Sequence, residues 1–173
     1  MTAVDFHEVA PPAIADAGPA VTYRINAAWH LDPGHYDAIF LRHVLEHHSR
    51  PLRLLSDLAA SLNPGGRLFI EVPNRHSIWA RLFGRYYSGY YLPRHLFHFD
   101  RVSLVGVLER AGFRHPAVRF AHHPMMGGSL RYMTGMGSGN TSLVGLAGYP
   151  FQIGLDVLCR GSTTLLATAT RHD

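Results

Sequence analysis

Two hydrophobic patterns alternate along the chain. Near-continuous apolar runs occur at Asp37 to Leu41 (DAIFL) and Arg67 to Val72 (RLFIEV), the pattern of strands buried on both faces. Short β-rich runs at Thr2 to Phe6 (TAVDF) and Val21 to Ile25 (VTYRI) predict two more strands, the first carrying an acid near its end. Pro116 to Ala121 and Thr163 to Thr170 (TTLLATAT) read as strands as well. Between these lie segments of helical period. Pro51 to Leu62 places Leu52, Leu55, Leu58, Ala59 and Leu62 on one face, with Ser49 as N-cap, Pro51 in the first turn and Asn63-Pro64-Gly65-Gly66 as stop. Arg101 to Ala111 turns Val102, Leu104, Val105 and Leu108 inward and closes on Gly112. Glu8 to Ala17 predicts a short helix with Pro11 and Pro12 in its first turn. His76 to Tyr91 is aromatic and irregular with a helix at its start, and Met125 to Gly139, rich in Gly and Met, has no clear period.

Strands that alternate with helices predict an α/β protein with a mostly parallel sheet. In such sheets ligands bind outside the carboxyl ends of the strands. The strand ends are Asp5, Asn26, Arg42 with His43, and Pro73 with Asn74.

Composition narrows the chemistry. A chain of 173 residues, 47% apolar and 16% charged, predicts one globular domain spanning 1–173. The net charge is +4, and every basic residue is Arg. Without Lys there is no Schiff-base chemistry and no Lys general base. The arginines are scattered, which gives no nucleic-acid footprint. Cys159 is the single cysteine, so the expectation is a reducing, cytoplasmic setting with Cys159 as a buried structural residue. Ser142 to Leu158 is apolar but broken by Gly145, Gly148, Pro150, Gly154 and Asp156, too interrupted for a membrane span.

The stretch Tyr36 to Pro51 (YDAIFLRHVLEHHSRP) crowds three histidines and a glutamate into six residues. His43 and His47 share a face if a helix runs through both, the basis for a metal-dependent hydrolase with a third ligand elsewhere. No H-E-x-x-H accompanies them. The competing reading is a strand end facing a cofactor.

That stretch, followed by LNPGGRLFIEVPN and PRHLFHFDRVSLVGVLERAGF, resembles class I S-adenosylmethionine-dependent methyltransferases, in particular the bacterial branch with an LEH motif after the fourth strand. The resemblance runs in register from about Val4 to Ala111. It implies a Rossmann-like fold and S-adenosylmethionine as cofactor. It implies Asp5 as the acid on the ribose hydroxyls, since a carboxylate accepts two hydrogen bonds. Asn26 would accept from the adenine amino group and Ala27 would offer a backbone N–H, with turn formation the competing role of Asn26. Arg42 and His43 would lie against the methionine part, and Leu45, Glu46 and His47 match LEH. Pro93 to Phe99 would cover the acceptor, which makes His95, His98 and His47 the candidates for acceptor contact or proton removal; packing beside Tyr86, Tyr87, Tyr90 and Tyr91 is the competing role. The implied acceptor is a small molecule, sugar or lipid precursor.

The resemblance also implies a first strand and glycine-rich turn ahead of Thr2. The expectation is therefore a domain truncated at its N-terminus, with weakened cofactor binding, in which the second and fourth strands either flank a gap or pair directly. Exposed strands there would suit a homodimer, and a non-catalytic remnant serving as a binding or oligomerisation module is the alternative to an enzyme.

Overall fold

The computed structural model describes residues 2–5, 22–25, 33–135, 138–159 and 161–172. The predicted helix at Glu8 to Ala17 lies outside these residues. β1 (Thr2–Asp5) and β2 (Thr22–Ile25) pair in parallel, Thr2 opposite Thr22 and Asp5 opposite Ile25. β3 (Tyr36–Arg42), β4 (Leu62–Pro73), β5 (Phe113–Ala121) and β6 (Thr164–Arg171) form a second sheet in the order β3-β4-β6-β5. β3 and β4 are parallel, and β6 runs antiparallel to both β4 and β5. Three of these strands thus point one way, as the alternation of elements predicts. β1 does not pair with β3, so the direct pairing of those strands does not form among the described residues.

The helices between the strands are α1 (Pro51–Ser61), α2 (Ile78–Phe83) and α3 (Arg101–Arg110). After β5 come α4 (Met126–Thr134), α5 (Ser138–Ala147) and α6 (Tyr149–Leu158). Leu54, Leu55 and Leu58 of α1 and Leu104 and Leu108 of α3 share one core with Ile39, Leu41, Leu68, Ile70, Val72, Leu165 and Ala167. Each fully buried Leu or Ile contributes about 1.5–3 kcal/mol, so this one sheet face holds most of the apolar stabilisation.

Several expectations are corrected by that arrangement. β3 is not buried on both faces. Its period-2 geometry sends Ile39 and Leu41 to the core and leaves Phe40 72% exposed, stacked on Phe69 at 4.5 Å. Val102 is exposed, because it lies about 200° around α3 from Leu104. The start of α3 is fixed by Asp100, whose carboxylate accepts from the Ser103 amide at 2.8 Å in a reciprocal capping box. Ser49 does not cap α1; Pro51 is the first helical residue, so Arg50 holds the cap position without a side-chain bond. Leu62 already belongs to β4. Met126 to Thr134 is helical, and no helix of the described residues is long and apolar enough to cross a membrane. Cys159 is exposed rather than buried.

A second cluster of Trp79, Ala80 and Tyr87 packs with Met125, Met126 and Leu155. It carries the irregular segment after β4. Asp156 lies beneath it and accepts from the Trp79 indole at 2.7 Å and from His122 Nδ1 at 3.0 Å.

Candidate functional site

The parallel ladder of β3 and β4 sets Arg42 opposite Glu71. One residue on, the His43 amide donates to the Glu71 carbonyl at 2.9 Å, with His43 at φ 51°. A non-glycine residue there is uncommon, and it turns the chain off the strand into a short 3-10 turn at Leu45–His47. The LEH triplet is that turn.

β6 lies between β4 and β5, and β5 runs the same way as β4, so the end of β5 comes to the same rim. Beyond it the His123 amide donates to Thr163 Oγ1 at 2.8 Å. The His123 imidazole reaches Glu71, Nε2 to Oε1, at 2.9 Å. Glu71 also takes Arg42 Nε at 3.2 Å on Oε2, and His43 Nε2 stands 3.7 Å from Oε1. Burial pushes the His123 pKa down from its ordinary value; Glu71 opposes this, and His43 and Arg42 add to it.

Glu46, 1% exposed, connects this rim to a second group. Its Oε1 accepts from His43 Nδ1 at 3.1 Å, and Oε2 has no hydrogen-bond partner. Its carbonyl accepts from the Leu96 and Phe97 amides at 2.8 and 3.1 Å, tying the LEH turn to the segment before α3. His95 Nε2 is 3.9 Å from Oε1.

The three predicted catalytic histidines hold one loop. His95 donates from Nδ1 to the Gly89 carbonyl at 2.9 Å, His98 from Nε2 to Tyr90 at 3.1 Å, and His47 from Nδ1 to Arg94 at 3.0 Å. His47 and His95 meet edge to face at 4.5 Å. Because a carbonyl only accepts, each neutral ring keeps its other nitrogen as an acceptor. Burial lowers the His95 pKa most, against the Gly89 bond and Glu46 and with His47 and His98. Burial thus favours the neutral form of His95, whose Nε2 faces Glu46.

His43 and His47 fall into separate clusters, one with Glu71 and His123, the other with Glu46 and His95. The His-x-x-x-His pair of the hydrolase reading is not formed, because no helix runs through both residues. Asp5 ends β1; Asn26 and Ala27 lie outside the described residues. Glu71 and His123 were not singled out from sequence. The available signal was an acid inside an apolar strand two residues before Pro73. A cleft of about 410 Å³ between Asn74, Arg81, Asp100 and Phe120 includes the strand-end residue Asn74 but none of the predicted cofactor-binding or catalytic residues.

A family profile described as a methyltransferase domain matches residues 2–116. The chain belongs to the methyltransferase domain family. No curated protein matches its sequence significantly. Among solved structures, this methyltransferase domain resembles Haemonchus contortus phosphoethanolamine N-methyltransferase 2 in complex with S-adenosylmethionine. The identity is 16% and the TM-score 0.64, over 99% of this chain and 43% of that one. A SAM-dependent methyltransferase from Archaeoglobus fulgidus is 17% identical with a TM-score of 0.60, over 98% and 75%. Burkholderia thailandensis 1,6-didemethyltoxoflavin-N1-methyltransferase is 20% identical with a TM-score of 0.57, over 99% and 61%. The domain therefore has the methyltransferase fold and spans less than half the length of the first of these relatives.

Proposed function

We propose that this domain binds S-adenosylmethionine through the residues at the ends of β1 and β3 and transfers its methyl group to a small acceptor. The observation that carries the reading is the family match over residues 2–116. The residue types fit the cofactor: an aspartate at position 5 suits a ribose diol, and the Arg42 guanidinium, 69% exposed, suits a carboxylate. Asn26, Ala27 and His43 complete the proposed cofactor contacts. The cofactor supplies a methyl group already activated on sulfonium.

The remaining work falls to the protein's own side chains. His95 Nε2 takes the acceptor's proton, and the Glu46 carboxylate at 3.9 Å offsets the charge that then forms on the ring. His47 and His98 orient the loop 89–94 over the acceptor, through their bonds to Arg94 and Tyr90. The aromatic rings of Tyr86, Tyr90 and Tyr91 suit a ring, sugar or small amine. Two of the similar structures are named for N-methylation of small molecules, phosphoethanolamine and 1,6-didemethyltoxoflavin. Placement in the LEH branch, and in the cytoplasm, belongs to the same proposal.

Calorimetry with S-adenosylmethionine, followed by transfer of labelled methyl to amines, phenols and sugars, tests this reading. Binding that weakens at least tenfold in Asp5→Ala, with label on one acceptor class, is expected. No binding at millimolar cofactor would refute it. That result would favour a non-catalytic binding or oligomerisation module, a reading supported by the exposed Phe40 beside an edge of β3 that is unpaired among the described residues.

A further inference from the structure

We infer that His43, Glu71 and His123 form a site for one divalent transition-metal ion. Their donor atoms all lie within 4.8 Å of one another. His123 Nε2 is 2.9 Å, and His43 Nε2 3.7 Å, from Glu71 Oε1. Tetrahedral ligands at bonds of ~2.0–2.1 Å stand about 3.3 Å apart, so these separations bracket the required spacing. The donors come from three different strand ends, β3, β4 and β5, a rigid base for a coordination site.

The tautomer of His43 is already set for a metal. Its Nδ1 donates to Glu46 at 3.1 Å, which leaves Nε2 with a lone pair toward the Glu71 carboxylate. Without an ion, Glu71 is held by His123 at 2.9 Å and by Arg42 at 3.2 Å; an ion at this point replaces those contacts and takes His43 Nε2, Glu71 and His123 Nε2 as its three ligands. The carboxylate behind His43 is the usual outer partner of a ligating histidine.

Glu46 supplies an independent observation. It is 1% exposed, one of its oxygens has no partner, and His43 is its side-chain hydrogen-bond donor. A buried carboxylate so placed is costly without nearby positive charge. A metal on His43 Nε2 polarises the ring and strengthens the Nδ1–H bond to Glu46, which offsets that cost.

Arg42 competes for the same ground. Its Nη2 lies 3.2 Å from His123 Nε2, while its Nε holds Glu71 Oε2. At 69% exposure its end swings into solvent as the ion enters. Two imidazoles and one carboxylate suit Zn²⁺, Co²⁺ or Fe²⁺ over Mg²⁺ or Ca²⁺, with at least one coordination position open to an exchangeable ligand.

The test is calorimetric titration of the chelator-treated, dialysed chain with ZnCl₂, paired with Co²⁺ titration followed by visible absorption. One equivalent bound per chain with micromolar or tighter affinity is expected, with a cobalt spectrum of mixed nitrogen and oxygen ligation. Glu71→Gln and His123→Ala should each weaken it at least a hundredfold, with circular dichroism unchanged. His115→Ala, an exposed control, and His47→Ala should both retain it. Absence of the equivalent, its retention in either ligand variant, or its loss in either control overturns the assignment. None of these readouts depends on methyl transfer.

Discussion

Replacing Asp156 by alanine removes the acceptor for two side chains at once. The carboxylate is fully buried, holds the Trp79 indole at 2.7 Å and holds His122 Nδ1 at 3.0 Å. Trp79 is 1% exposed, so its N–H finds no water, at a cost of ~1–3 kcal/mol. His122 keeps a side-chain exposure of 32% and regains solvent, so its loss is about 1 kcal/mol at most. Alanine recovers roughly 0.5–0.7 kcal/mol of helix propensity within α6. The net expectation is a loss of about 0.5–3.5 kcal/mol, or roughly 4–8 °C in Tm near the middle of that range for a chain of this size. Asp156→Asn keeps an oxygen for the indole and allows His122 to switch tautomer, so its cost is about 1 kcal/mol. Urea unfolding followed by far-ultraviolet circular dichroism measures both variants. The reasoning fails if the two lose the same amount, or if alanine loses less than about 0.5 kcal/mol.

Three further outcomes follow from the same geometry. A Cβ on Gly89 would stand 2.4 Å from the ring of Tyr87, itself 1% exposed, so Gly89→Ala should cost at least ~1–3 kcal/mol in a thermal melt. Asp100→Ala should cost about 1 kcal/mol of stability at neutral pH. Although burial pushes the Asp100 pKa up, its two Ser103 bonds and the charges of His76 and Arg75 hold it below the ordinary value, so the penalty should shrink in melts below pH 4. The lowered pKa of His95 means that the unfolded chain binds more protons, so stability falls as pH drops from about 6.5 toward the folded value, at no more than ~1.4 kcal/mol per unit for this group. In melts from pH 8 to 5 with chelator present, His95→Gln should flatten that slope; an unchanged slope would contradict it.

The sequence pattern located the sheet and the two helices that cover it because each has a regular period. Leu54, Leu55 and Leu58 or Leu104 and Leu108 have only one way to face β4. It overstated burial at Phe40, since a continuous apolar run reports the neighbours a strand could accept on both faces, whereas α1 and α3 occupy only one. The histidines of the LEH region were visible as a crowd, but their division into two clusters was not. That division follows from the positive φ of His43 and from Glu46 turning inward, local geometry with no periodic signature. Glu71 meets His123 across 52 positions through strand order, and His122 meets Asp156 across 34 through the placement of α6, which a linear reading does not supply.

The insertion of β6 between β4 and β5 has a consequence for biosynthesis. When β5 leaves the ribosome, the strand that belongs between it and β4 has not been made. For about 40 more residues, roughly 2–8 s at ~5–20 residues per second, the nascent chain holds two hydrogen-bonding edges apart with nothing to join them. The core residues Leu165, Ala167 and Ala169 are made only after that interval. Completion of the core is therefore tied to arrival of β6, and arrest anywhere before Thr164 leaves the edges of β4 and β5 unjoined.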